Sequence, residues 1–258
     1  IRRSATLQGD APALSFILQG NVDEPAYRLS YRQLLGKITQ TANAFHRLGL
    51  RPGKAVSFLL PNLPHTHFTI WGGEAAGIVN AINPLLDPEH IAELIQASDS
   101  ELLVTLAPFP GTDLWAKVEG LRDQLPNLKA IICVDMANLL PEPQRSGLKA
   151  QRGALPDGVL DFDELIASCP DDHLESGREI APDEIASYFH TGGTTGTPKL
   201  APHSHANEVA MAYSMNLVTR FEPGDVTLCG LPLFHVNGVI VTGLTAFIGG
   251  AEVLLATP

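Results

Sequence analysis

Between Thr191 and Lys199 the chain reads Thr-Gly-Gly-Thr-Thr-Gly-Thr-Pro-Lys. Glycines at 192, 193 and 196 let backbone N–H groups converge on an anion. Thr191, Thr194, Thr195 and Thr197 add hydroxyl donors, and Lys199 adds a positive charge. That combination suits the holding of phosphate. An apolar run, Ile185 to Phe189, leads into the segment, and a helix is predicted from about His205 to Leu217, so the donors sit between a strand and a helix. The spacing is not that of a Walker A loop. Lys199 follows Pro198, and Leu200 stands where that motif needs a Ser or Thr for Mg²⁺. No GxGxxG follows the first strand, so a nicotinamide-type fold has no support.

Other residues could do chemistry. His203 and His205 form a pair, but no Cys, Asp or third His stands near them in sequence to complete a metal site. His65 and His67 lie two apart on a predicted helix and face different directions. By itself His235 reads as a structural histidine at a strand end. No G-x-S-x-G elbow or Ser-His-Asp order points to a hydrolase.

The surrounding pattern supplies elements to position these groups. Ser30 and Gln33 have capping-box spacing, and Leu34, Ile38, Ala42, Phe45 and Leu48 follow at helical intervals up to Gly49. Further helices are predicted from Pro64 to Ala76, Glu89 to Ala97, Asp113 to Gln124 and Phe162 to Ser168, with a helix or turn region from Asn237 to Ile248. Short apolar strands fall at 56–60, 78–82, 102–106, 130–134, 226–229 and 253–256. Alternation of short strands with helices predicts an α/β fold with a parallel sheet flanked by helices. Residues 141–158 lack periodicity and read as a surface loop.

Composition narrows the class. The chain has 258 residues, 45% apolar and 17% charged, and a net charge of −11 from 28 acidic against 17 basic residues. An acidic surface argues against nucleic acid as a partner, though not against a nucleotide. Cys133, Cys169 and Cys229 are odd in number and far apart; with no disulfide framework or CxxC motif, they point to a reducing, cytoplasmic setting. No uninterrupted apolar stretch reaches the length of a membrane span.

Thr191 to Lys199 matches, position by position, a pattern similar to [ST]-[SG]-G-[ST]-[TS]-G-x-P-K, and His203-Ser204-His205 resembles the H-x-H that commonly follows it. The chain therefore resembles the adenylate-forming enzymes: acyl-CoA synthetases, luciferases and peptide-synthetase adenylation domains. Gly192 replaces the usual serine, and Leu200 the usual glycine after the lysine. Similar segments run along nearly the whole chain: Leu29 to Leu34, Leu48 to Val56, Leu60-Pro61-Asn62, Ala75 to Pro84, and Leu231 to Gly238, which resembles L-P-L-F-H-x-x-G.

The resemblance implies an incomplete N-terminal AMP-binding domain, divided at 183/184 into a first α/β subdomain and a segment holding the phosphate loop and acyl pocket. It implies ATP-dependent activation of a carboxylic acid to an acyl-adenylate with release of pyrophosphate, then transfer to a thiol, with ATP, Mg²⁺ and coenzyme A as co-substrates. In these terms Thr191, Gly192, Gly193, Thr194, Thr195, Gly196, Thr197 and Lys199 hold the phosphates. Lys199 and His235 are the catalytic candidates, and His235, Val236, Asn237 and Gly238 open the acyl pocket. The apolar segment 236–250 leans the substrate towards a fatty or other apolar acid. The family's adenine, ribose and later lysine motifs are not found, so the 258 residues alone are expected to be inactive. A homodimer, a carrier-protein loader, a luciferase-like second step and a degenerate binding module remain open.

Overall fold

The structure, a computed structural model, describes residues 1–18, 20, 23–191 and 199–256. In chain order it contains α1 (Arg2–Gln8), β1 (Pro12–Ile17), β2 (Tyr27–Ser30), α2 (Tyr31–Arg47), β3 (Ala55–Leu59), α3 (Pro64–Ala76), β4 (Ile78–Ala81), α4 (Pro88–Ala97), β5 (Ser100–Leu106), α5 (Leu114–Val118) and β6 (Ala130–Val134). There follow α6 (Gln144–Arg152), β7 (Val159–Asp161), α7 (Phe162–Ala167), β8 (Ile185–Thr191), β9 (Lys199–Ser204), α8 (His205–Thr219), β10 (Val226–Cys229), a π-helix (Asn237–Leu244), α9 (Thr245–Gly249) and β11 (Glu252–Ala256).

Local chemistry sets the helix starts. The Ser30 hydroxyl accepts from the Gln33 N–H at 3.3 Å while Gln33 Oε1 accepts from the Ser30 N–H at 2.9 Å, so two orphan donors of α2 are satisfied reciprocally. Pro64 opens α3, where its missing N–H costs nothing. Asp87 caps α4 by accepting from the His90 N–H.

Among the described residues, one sheet has the order β7-β6-β5-β3-β4-β8-β9 and a second the order β10-β11-β1-β2. Pairing is parallel except between β8 and β9 and between β1 and β2. The strands β3, β4 and β6 are buried at every position, as the continuous apolar runs predict for a sheet covered on both faces. Helix α3 is buried from Pro64 to Glu74. It packs on α2, on β3, β4 and β8 of the larger sheet, and on β1 of the smaller. A Cβ on Gly73 would stand 2.5 Å from Val79 Cγ2, so glycine is what allows α3 to lie this close to β4.

Several expectations need correction. Residues 141–158 are not a loop throughout, because they contain α6. An apolar stripe does not hold α6; its Arg152 reaches Asp135 Oδ2 at 3.1 Å, and Arg145 donates to the Leu140 and Asn138 carbonyls. Hydrophobic periodicity does not register that kind of fastening. The pattern from Asp113 to Gln124 splits into α5 and a 3₁₀ turn, Arg122–Gln124, on either side of Gly120. Lys199 to Ser204, expected as loop and motif tail, is strand β9. The elements α1, β1 and β2 precede the first predicted helix. Strands from both sides of position 183/184 share each sheet: β8 and β9 extend the larger one, while β1 and β2 pair with the late strands β10 and β11.

Candidate active site

The two ends of the phosphate-type segment meet. Thr191, the last residue of β8, is registered opposite Lys199, the first of β9, and the Thr191 hydroxyl donates to the Lys199 carbonyl at 3.4 Å. Both residues are exposed. Gly192, Gly193, Thr194, Thr195, Gly196, Thr197 and Pro198 lie outside the described residues. Antiparallel pairing of β8 with β9 thus brings Thr191 and Lys199 to one mouth. After β9, α8 starts at once. Its capping box joins Ser204 to Asn207 through bonds of 3.2 and 3.1 Å.

Beneath this hairpin lies a buried acidic cluster. Glu208 on α8 accepts from the Ser187 hydroxyl of β8 at 2.5 Å. It hydrogen-bonds Glu74 of α3 and lies 3.9 Å from His203 Nδ1 of β9. Burial pushes the Glu208 carboxyl up to about 7, against the pull of the Ser187 and Glu74 hydrogen bonds. Burial, and then the Glu208 charge and hydrogen bond, holds Glu74 well above the usual carboxylate range. A protonated Glu74 therefore donates to Glu208.

His235 sits in a turn beyond β10. Its N–H donates to the Pro232 carbonyl at 3.1 Å, and its own carbonyl accepts from Gly238 at 2.9 Å and Val239 at 3.2 Å. The Asn237 N–H donates to His235 Nδ1 at 3.3 Å. With Nδ1 engaged as acceptor, the neutral ring carries its proton on Nε2. The imidazole is exposed, as is Asn237, whereas Val236 is half-buried and Gly238 buried. A Cβ on Gly238 would stand 2.2 Å from the Pro232 carbonyl oxygen; only glycine fits. The π-helix begins here and carries Val239, Ile240 and Leu244 into the core. Such helices are rare and concentrate at functional sites.

The structure also supplies a residue that motif reading missed. His190, immediately before Thr191, accepts from the Asn83 N–H through Nε2 at 3.3 Å. Burial lowers its pKa, and the neighbouring His235 lowers it further. His190 thus ties β8 to Asn83 and lies within electrostatic reach of His235. A polar residue near the end of an apolar strand was the available signal. The pair His203 and His205 does not converge. The His203 ring packs on Phe189 at 5.1 Å, while His205 faces Arg178 and Glu184. Among the described residues no three His, Cys, Asp or Glu side chains are grouped to hold a metal ion, so no protein ligand is assigned to Mg²⁺. His65 bonds Asp163 at 3.0 Å, and His67 accepts from Trp71 Nε1 at 3.2 Å; both are core residues.

Thr191 and Lys199 meet at the hairpin mouth, and His190 beside Thr191 lies within electrostatic reach of the exposed His235. The AMP-binding enzyme family matches residues 1–258, and the chain belongs to that family. It is 32% identical over 251 residues to the marinolic acid–CoA ligase of Pseudoalteromonas sp., covering 95% of this chain and 36% of that protein. It is 29% identical over 225 residues to 4-coumarate–CoA ligase 1 of Arabidopsis thaliana, covering 84% of this chain and 36% of that protein. The solved structure of an anthranilate CoA ligase in complex with anthranoyl-AMP superposes with a TM-score of 0.81 at 22% identity, covering 100% of this chain and 44% of that one. That likeness establishes the fold. The chain spans only about a third of the length of these two curated relatives.

Proposed function

We propose that the protein carrying this chain activates a carboxylic acid with ATP and passes the acyl group to coenzyme A. In the first step a carboxylate oxygen attacks the α-phosphorus, forming the acyl-adenylate and expelling pyrophosphate. In the second a thiol attacks the acyl carbon and AMP leaves. Negative charge collects on the departing pyrophosphate, and the N–H and hydroxyl donors and the lysine that the sequence Thr191–Lys199 carries are of the kind that stabilises it. With Nδ1 taken by the Asn237 N–H, Nε2 of His235 is left as the donor for the acid's carboxylate. The closure of Thr191 on Lys199 by the β8–β9 pairing carries this reading. The similarity to CoA ligases favours coenzyme A over a carrier protein.

The apolar composition of segment 236–250 supports an apolar acid. Mg²⁺ enters as counter-ion of the nucleotide phosphates. Three free, buried cysteines are in keeping with a reducing, cytoplasmic setting. Among the described residues no helix is long and apolar enough to cross a membrane.

The test is acid-dependent ATP–pyrophosphate exchange by the full-length protein over fatty acids of rising length and a set of aromatic acids. Exchange with at least one acid is expected, and none with any acid would sink the proposal. The isolated 258 residues are expected to give no exchange, since the motifs for adenine and ribose are not among them; a carboxylate-dependent signal from them would overturn that part.

A further inference from the structure

Asn62 has no acid, base or nucleophile to offer, yet its buried side chain makes three long-range hydrogen bonds to one stretch of chain. Nδ2 donates to the Leu231 carbonyl at 2.9 Å and to the Cys229 carbonyl at 3.3 Å. Oδ1 accepts from the Leu233 N–H at 2.9 Å. The stretch 229–233 is the lead from the end of β10 into the His235 turn, and it carries unpaired backbone groups that the sheet cannot satisfy.

The platform is itself fixed. Just after β3, the Thr66 hydroxyl donates to the Pro61 carbonyl at 2.6 Å and accepts from the Leu63 N–H at 3.3 Å. One amide therefore ties the C-terminal end of a central strand of the larger sheet to the turn built beyond the smaller sheet. Past the clamp the geometry propagates directly. The Pro232 carbonyl accepts from the His235 N–H and lies against Gly238, where no side chain fits.

We infer that Asn62 is a positioning residue: it sets where His235 stands relative to the Thr191–Lys199 mouth. The inference rests on the adenylation reading for its chemical consequence, and on the three hydrogen bonds for its geometry. An amide is required because the stretch presents two acceptors and one donor, which asparagine alone complements at this length. Aspartate would set a carboxylate against two carbonyl oxygens, and alanine would remove all three bonds to the stretch.

The experiment uses the full-length protein with Asn62→Ala, Asn62→Asp and, as a reference for the turn, His235→Ala. Amide hydrogen exchange of segment 229–238 is read first, because it does not depend on activity. Asn62→Ala is expected to speed exchange there by about 10-fold or more and to leave β8 and β9 unchanged, as local opening does. In pyrophosphate exchange its kcat/KM for the acid is expected to fall about 10- to 100-fold while KM for ATP stays within about 2-fold, the scale expected when a reacting group is displaced by about an ångström. Should Asn62→Ala fail to fold, Asn62→Asp carries the same comparison. Unchanged exchange at 229–238 overturns the clamp. A parallel loss of acid and ATP parameters overturns the positioning role, because a general loss of structure gives that result. Wild-type protein inactive on all acids sinks the adenylation reading and, with it, the catalytic consequence of Asn62, while hydrogen exchange still decides the clamp.

Discussion

At the root of the Thr191–Lys199 hairpin, strands are tied to helices by carboxyls; at the His235 turn, chain is tied to chain by one neutral amide. The first device joins Glu74, Ser187, His203 and Glu208 from α3, β8, β9 and α8. The second joins Asn62 to the backbone at 229–233. Both are buried, but only the first holds a carboxyl, Glu208, that titrates near neutral pH. The two halves of the site should therefore respond differently to pH, although both depend on buried hydrogen bonds.

The largest effects should separate the halves by substrate. Lys199→Ala, and Thr194→Ala or Thr195→Ala, are expected to slow pyrophosphate exchange by on the order of 10²–10³, the usual cost of one lost charge-stabilising donor. His235→Ala should raise KM for the acid more than KM for ATP. If both substitutions depressed the same parameter equally, the division of labour between hairpin and turn would be wrong.

Next in size is Gly238→Ala. A Cβ forced within 2.2 Å of a carbonyl oxygen must open the turn, at a cost of about 1–3 kcal/mol. Denaturant unfolding of the full-length protein measures it, and a stability equal to wild type would show that the turn is looser than its geometry indicates.

The acidic device has a signed pH dependence. Glu208 has a folded pKa of about 7, above its ordinary 4.5. The stability associated with its protonated form is fully present below pH 4.5 and is lost as pH rises through about 7. Glu208→Gln keeps the acceptor for Ser187 and removes the charge. It should flatten the stability profile over that interval and exceed wild type above it, with no such change for Asn62→Ala. Thermal melts across the interval decide this, and a wild-type profile identical to that of Glu208→Gln would reject the shared-proton reading.

A second signed pH dependence lies at the acid end. On the same helix as Glu74, burial lowers His67 from 6.5 to about 3, so its contribution is present above pH 6.5 and is lost as pH falls through about 3. His67→Gln should soften that acid loss in the same melts. An unchanged acid limb would mean other groups dominate it.

Much of the fold could be read in advance because its signals are local. The Ser30–Gln33 box, Pro64 at a helix start, Asp87 before Pro88, and the apolar runs of β3 to β6 each act within a few residues. The elements that escaped were those whose partners are distant. β9 forms because it pairs with β8 across the loop, β1 and β2 because β11 arrives more than two hundred residues later, and α6 because Arg152 finds Asp135. The candidate site divides in the same way. The Thr191–Lys199 pattern and Leu231-Pro-Leu-Phe-His235 are contiguous and were legible. His190, Glu74 and Glu208 were not, since a lone histidine in a strand or a lone glutamate in a helix carries no periodic or motif signal.

By itself the sequence determined the chemistry of the donors, the α/β class and the family resemblance, because spacing, capping and hydroxyl-glycine composition act over a few residues. Only the tertiary structure decided which of those residues share a mouth and what holds them there. Burial and long-range hydrogen bonds turn two ordinary glutamates into a proton-sharing pair and one asparagine into a clamp, and both effects come from neighbours far away in the chain.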